Sequence, residues 1–225
     1  DPGRYPDVLA FIAAFREAAG VESERASLPA LDPERRDATL ATAPQPIAEA
    51  VGALVAARNA HQARDAVVQV ARTTTRYLGL VALSCRSRVT AIDEPSGVAE
   101  SLRTLYRRTL ADKEWLELTR LLTQPWIDRR DAYPIAELVD LFHGERAIAR
   151  ELGELLALRE HEAFSEAALM PALETAMTRI TKVFAAVAAL DDYALVVGLG
   201  GSLAEVWAGA RRSPRMARRV NGKQL

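Results

Sequence analysis

Apolar residues recur along most of this chain at intervals of three and four, which is the period of a helix that buries one face. Val8, Phe11, Ile12 and Phe15 predict a short amphipathic helix that Gly20 stops. Residues 21–45 then lose the period, and Pro29, Pro33, Pro44 and Pro46 punctuate them, so this stretch is expected to be a linker. From Ile47 the pattern resumes. Ile47, Val51, Leu54 and Val55 line one helix ending near Asn59, and Val67, Val70, Thr74, Tyr77, Leu78, Val81 and Leu83 line a longer one from about Gln62 to Arg86.

Two shorter helices follow, from Val98 to Leu110 and from Asp112 to Leu122, with Asp112 as the expected N-cap of the second and Pro125 closing it. Pro134 opens what reads as one long helix to about Leu158, carrying Ile135, Leu138, Val139, Phe142, Ile148, Leu152 and Leu155 inward. Ser165 starts the last long helix, to Leu190, through Leu169, Leu173, Met177, Ile180, Phe184 and Val187. After residue 192 the period changes. Tyr193–Val197 is a β-branched run, the glycines of 198–202 turn the chain, and Leu203–Trp207 returns as a short hairpin. The expected fold class is therefore all-α, a multi-helix bundle over 46–192. A short helix (1–19) and a linker (20–45) precede it, and a hairpin (193–208) and a basic tail or linker (209–225) follow.

Composition adds little to this. At 225 residues, 49% hydrophobic and 26% charged, the chain is an ordinary folded protein rather than a disordered one. The formal charge of −1 gives no overall field toward nucleic acid or membrane. With Cys85 as its one cysteine, no disulfide forms within the chain, which fits a reducing cytoplasm, and burial is the expected state of that thiol. No apolar stretch reaches the length of a bilayer span and no signal-peptide pattern is present. The chain begins at Asp1 within what reads as an element, so a segment of a longer polypeptide is expected.

The candidate chemistry is sparse. His61, His143 and His161 fall on different elements in no ligand spacing, so no metal and no cofactor is expected. Arg211, Arg212, Arg215, Arg218, Arg219 and Lys223 give the last fifteen residues a charge of +6. Such a tail is able to contact phosphate through counterion release, yet it lacks interleaved aromatic residues, and a solvated linker is the favoured reading. Carboxylates such as Asp112, Glu160, Asp191 and Asp192 show no paired acid and base. Trp115 is expected in the core, while Trp126, Tyr133 and Trp207 are the candidates for anchoring an interface.

The layout of 44–210, above all the segment LLALREHEAFSEAALMPALETAMTRITKVFAAVAALDDYALVV, resembles HEPN-like helical domains of bacterial signalling and defence proteins. In the active version an Arg-Asn-x-x-x-His element cleaves RNA, the arginine polarising a phosphate and the histidine acting on the ribose 2′-hydroxyl. This chain keeps Arg159, but Glu160 stands where asparagine is expected, Phe164 occupies the histidine position, and His161 is out of register by three. The resemblance therefore implies the fold without an enzyme. The opening DPGRYPDVLAFIAAFREAA also looks like the last helix of a bacterial Ser/Thr protein kinase domain. The expected role is a non-catalytic interaction or regulatory domain whose partner is a protein or a second copy of itself. The alternatives are an RNA-binding or ribonuclease domain using Arg159 and His161, and a structural connector next to a kinase.

Overall fold

The computed structural model describes residues 28–89, 94–145, 147–160, 166–192, 196–200, 203–206, 208–210 and 215–218, together with Phe11 and Phe15. Its body is an all-α bundle. The expected short N-terminal helix lies outside the described residues except for Phe11 and Phe15, which are helical, exposed and stacked with ring centroids 6.2 Å apart.

The expected linker 20–45 contains a helix, α1 (Pro33–Thr42). The prolines that suggested a break are start signals here: Asp32 is the N-cap, accepting from Arg35 N at 2.9 Å, and Pro33 takes the first turn, where no N–H is needed. α2 (Gln45–Val55) also begins on a proline and buries Ile47, Ala48, Val51 and Leu54. Asn59 then caps α3 (Ala60–Arg86) through a bond from Gln62 N at 2.9 Å.

α3 is the central post. At 27 residues it is about 40 Å long. α2, α5 (Asp112–Thr123), α7 (Ala149–Ala157) and α8 (Glu166–Val187) pack around it. Contact on several sides explains why Val68 and Thr75 are buried as well as the single stripe of Val67, Val70, Thr74, Leu78, Ala82 and Cys85. At the seam of α3 with α5, a Cβ placed on Gly79 would lie 2.5 Å from a ring carbon of Trp115, so only glycine leaves room for the indole there.

α4 (Ser96–Arg107) rests on α5. Asp112 is not the N-cap of α5; Ala111 is, and Glu114 reaches back to accept from Ala111 N at 2.6 Å. Asp112 turns instead to α3, bonding Arg72 Nε at 3.0 Å and Arg76 at 3.2 Å. A 3₁₀ stretch (Gln124–Ala132) carries Pro125 and leads to the next helices.

The single long helix expected over 134–158 is two, α6 (Ala136–His143) and α7. α6 ends where Gly144, a poor helix former, takes extended geometry with ψ −177°. The chain re-enters at Ile148, whose N–H bonds Leu141 O at 2.9 Å, and the apolar period runs on across the break. α8 follows, with Pro171 inside it, and ends in a 3₁₀ turn (Ala188–Asp192).

Beyond the bundle, β1 (Val196–Gly200) pairs antiparallel with β2 (Leu203–Val206); Gly198 and Gly200, expected in the turn, lie within β1 and pair with Ala204 and Leu203. The basic tail does not stay without structure: β3 (Arg215–Arg218) adds to β2. The segment after β2 is stitched to the end of α1. Pro44 bridges Ala208, Gly209 N donates to Ala43 O, and Ala210 N donates to Leu40 O, the last two at 2.9 Å. Gly209 has φ +78°, and a Cβ there would sit 2.9 Å from Ala41 O.

Candidate interaction surface and apolar cavity

Two features of the bundle offer something to a second molecule. The first is a cavity where α1, α2, α3, α8 and the 3₁₀ turn Ala188–Asp192 converge. Ile47, Leu78, Phe184, Val187 and Leu190 form apolar walls, and Arg35 stands at the exposed side. The cavity encloses about 50 Å³, well below what a nucleotide or a flavin requires. Thr74 belongs to the wall; its hydroxyl is buried and has no hydrogen-bond partner among the described residues. The Arg35 guanidinium enters no ion pair among the described residues, and the nearby Asp32 carboxylate is occupied in capping α1.

The second feature is the outer side of α4. Val98 is buried and Leu102 and Leu105 are half-buried against the bundle, which fixes the helix's orientation. The opposite side shows Arg103, Tyr106 and Arg107, three and four residues apart and therefore neighbours. Tyr106 is 94% exposed, and neither Arg103 nor Arg107 forms an ion pair among the described residues. The adjacent Arg108 differs. It holds Glu114 through two bonds of 2.6 and 2.8 Å, and these, with the Ala111 N–H, pull the Glu114 carboxyl down to about 2.

Two of the three aromatic residues expected to anchor an interface, Trp126 and Tyr133, are inside. Trp126 is 8% and Tyr133 4% exposed, their rings tilted against each other at 5.5 Å. The Tyr133 hydroxyl points to Ala82 O at 3.5 Å, and burial, then the neighbouring Cys85, raise its pKa. Trp126 lies within the 3₁₀ stretch and Tyr133 is the extended residue that ends it, and both rings face inward. Cys85 is itself buried, as expected, and burial raises its pKa, so its thiolate is disfavoured. Trp115 is a core residue, as expected. Tyr106, not singled out from sequence, is a large aromatic that the bundle leaves in solvent; its position on the polar side of α4's stripe was the signal.

Arg159 is exposed in the 3₁₀ turn Leu158–Glu160 after α7. Its suggested partner His161, the anchor Trp207, and the tail residues Arg211, Arg212, Arg219 and Lys223 lie outside the described residues. Arg215 and Arg218 are at the two ends of β3. Among the described residues no group of three His, Cys, Asp or Glu side chains is placed to hold a metal ion, and no helix is long and apolar enough to cross a membrane.

His61 opens α3 and His143 closes α6. His143 Nε2 lies 3.0 Å from Thr123 Oγ1 and 3.2 Å from Arg120 O, while Thr123 Oγ1 is 2.9 Å from Thr119 O. The consistent assignment has Thr123 donating to Thr119 O and a neutral His143 donating through Nε2–H. Burial lowers the His143 pKa, the Arg120 carbonyl opposes this, and the Arg120 charge adds to the lowering. Protonation therefore favours the unfolded chain. His143 costs no stability above the ordinary histidine pKa of about 6.5 and destabilises the fold progressively as pH falls from there to its lower folded value. The midpoint of thermal unfolding should drop more between neutral and mildly acidic pH for the wild type than for His143→Gln; parallel curves would refute the assignment.

The chain was compared with protein-family models, curated proteins and solved structures, and none of them matches it.

Proposed function

We propose that this chain is a non-catalytic helical interaction module and that its working face is the outer side of α4. The observation that supports this is Tyr106, 94% exposed between two arginines free of ion pairs among the described residues. Tyrosine and arginine are enriched among residues that dominate binding energy, and a large ring left in water gains most when a partner covers it. Two uncompensated positive charges beside it suit an acidic protein surface and disfavour a face-to-face copy of the same helix. The resemblance to HEPN-like domains of bacterial signalling and defence proteins agrees with such a role, as does the departure of Glu160 and Phe164 from the nuclease pattern.

A photo-crosslinking amino acid placed at position 106 tests the proposal in cells that carry the native protein. One dominant protein adduct is expected, lost when Arg103→Glu and Arg107→Glu are added and absent with the crosslinker at exposed Glu154 on α7. Tyr106→Ala should change folding stability by less than about 0.5 kcal/mol, as befits an exposed position. Identical adducts at positions 106 and 154 would reject the face. Adducts to RNA in place of protein would transfer the function to the nucleic-acid alternative.

A further inference from the structure

The cavity beside α1 combines three properties that point to a ligand of one chemical class. Its walls are apolar: Ile47, Leu78, Phe184 and Leu190 offer nothing to a charged or strongly hydrated group. One wall residue, Thr74, is 1% exposed and its hydroxyl finds no partner among the described residues. A buried hydroxyl left unpaired is costly, and native structures normally satisfy such a group with protein, water or ligand. At the exposed side stands Arg35, a guanidinium with no carboxylate partner among the described residues. Guanidinium is the side chain best matched to a carboxylate, which it holds with two parallel bonds.

The enclosed 50 Å³ is room for about four water-sized groups. A chain of about four heavy atoms therefore fills the interior, leaving a charged end at the mouth. We propose that this cavity binds a short hydroxy or oxo carboxylate, its carboxylate on Arg35, its carbon chain between Ile47, Leu78 and Phe184, and its second oxygen on the Thr74 hydroxyl. The proposal does not rest on the α4 face. It uses other elements, and failure of either leaves the other standing.

The position gives such a ligand a consequence. Arg35 is on α1, Ile47 on α2, Thr74 and Leu78 on α3 and Phe184 on α8, so an occupant ties four helices together. α1 is also the helix whose end accepts the Gly209 and Ala210 N–H groups. Occupancy should therefore stabilise the attachment of α1 and raise the unfolding midpoint through mass action.

The test is a ¹H–¹³C methyl NMR titration of the full chain with 3-hydroxybutyrate, butyrate and 1,3-butanediol. Ligands of this size reach dissociation constants on the order of 1 mM. Saturable shifts at Ile47, Leu78 and Val187 are expected for 3-hydroxybutyrate, with butyrate and the diol each roughly tenfold weaker. Arg35→Gln should erase the preference for 3-hydroxybutyrate over the diol, and Thr74→Val the preference over butyrate. Thr74→Val also removes an unpaired buried hydroxyl in an isosteric step, so the ligand-free variant should unfold at a higher temperature than wild type. No saturation at these methyls by about ten times that concentration would overturn the proposal. So would preferences that survive both substitutions in variants shown to be folded.

Discussion

Gly79→Val is expected to lower the stability of the bundle by about 3 kcal/mol, read as a fall in the urea midpoint without a change in slope. The reason is geometric. An added Cβ at this position would meet Trp115 Cε3 at 2.5 Å, Trp115 Cζ3 at 3.0 Å and Thr119 Oγ1 at 3.3 Å. None of these is the loose end of a flexible chain: Trp115 is 5% exposed, and Thr119 is fully buried with its hydroxyl bound to Trp115 O at 2.8 Å. Valine has a better helix propensity than glycine by a few tenths of a kcal/mol, too little to offset the clash. The two helices would have to separate, and this is the seam between the central post and α5. A double-mutant cycle identifies the cause. In a Trp115→Leu background the cost of Gly79→Val should shrink by about 2 kcal/mol, because the ring that blocks the new methyl groups is gone. An unchanged cost would show that the penalty comes from elsewhere.

Glu151→Ala is expected to cost about 2 kcal/mol, more than most carboxylate deletions on a helix. Glu151 is on α7 but is 8% exposed, and its carboxylate holds Arg179 of α8 at 2.5 Å. Removing it strands a guanidinium that is itself only about a quarter exposed, 27%. That residual exposure keeps the figure below the full penalty for a buried pair. Glu151→Gln should recover part of the loss by keeping one bond to Arg179. Burial pushes the Glu151 pKa up, but the Arg179 bond and the charges of Arg179, Lys182 and Arg150 outweigh it, so the net shift is downward. A depressed carboxyl stabilises the fold above its unfolded pKa of about 4.3 and loses that contribution as pH falls through the lower folded value. The difference in stability between wild type and Glu151→Ala should therefore narrow in acid; a constant gap would show that charge is not what the residue contributes.

The strength of these two contacts bears on how the chain can be read. Periodicity placed the core residues of α3, α5 and α8 inward and did so for Ile47, Val51 and Leu54 of α2, because a residue every three or four positions has no other way to be buried on one side, but Val55, the last residue of α2, is left exposed where the helix ends. It merged α6 and α7, since the apolar stripe runs across Gly144 and a period alone does not register a backbone that leaves the helix for a few residues. Prolines misled it at 33–46: Pro33 and Pro46 look like breakers in a list of residues but occupy first turns, where the missing N–H costs nothing. The same ambiguity sent Asp112 to a cap when its carboxylate serves two arginines of α3.

By itself, then, the sequence determined that this is an all-α bundle, which helices carry an apolar face, that Cys85 and Trp115 are buried, and that no familiar catalytic spacing is present. Those are consequences of local pattern and residue chemistry. Only the tertiary structure decided that Trp126 and Tyr133 turn inward while Tyr106 stays in water, that α1 is tied to the segment after β2, and that Thr74 and Arg35 line one cavity. Each of these depends on residues far apart in the chain meeting at one place. Helical periodicity reports which side of an element is apolar, but not which other element, if any, will cover it.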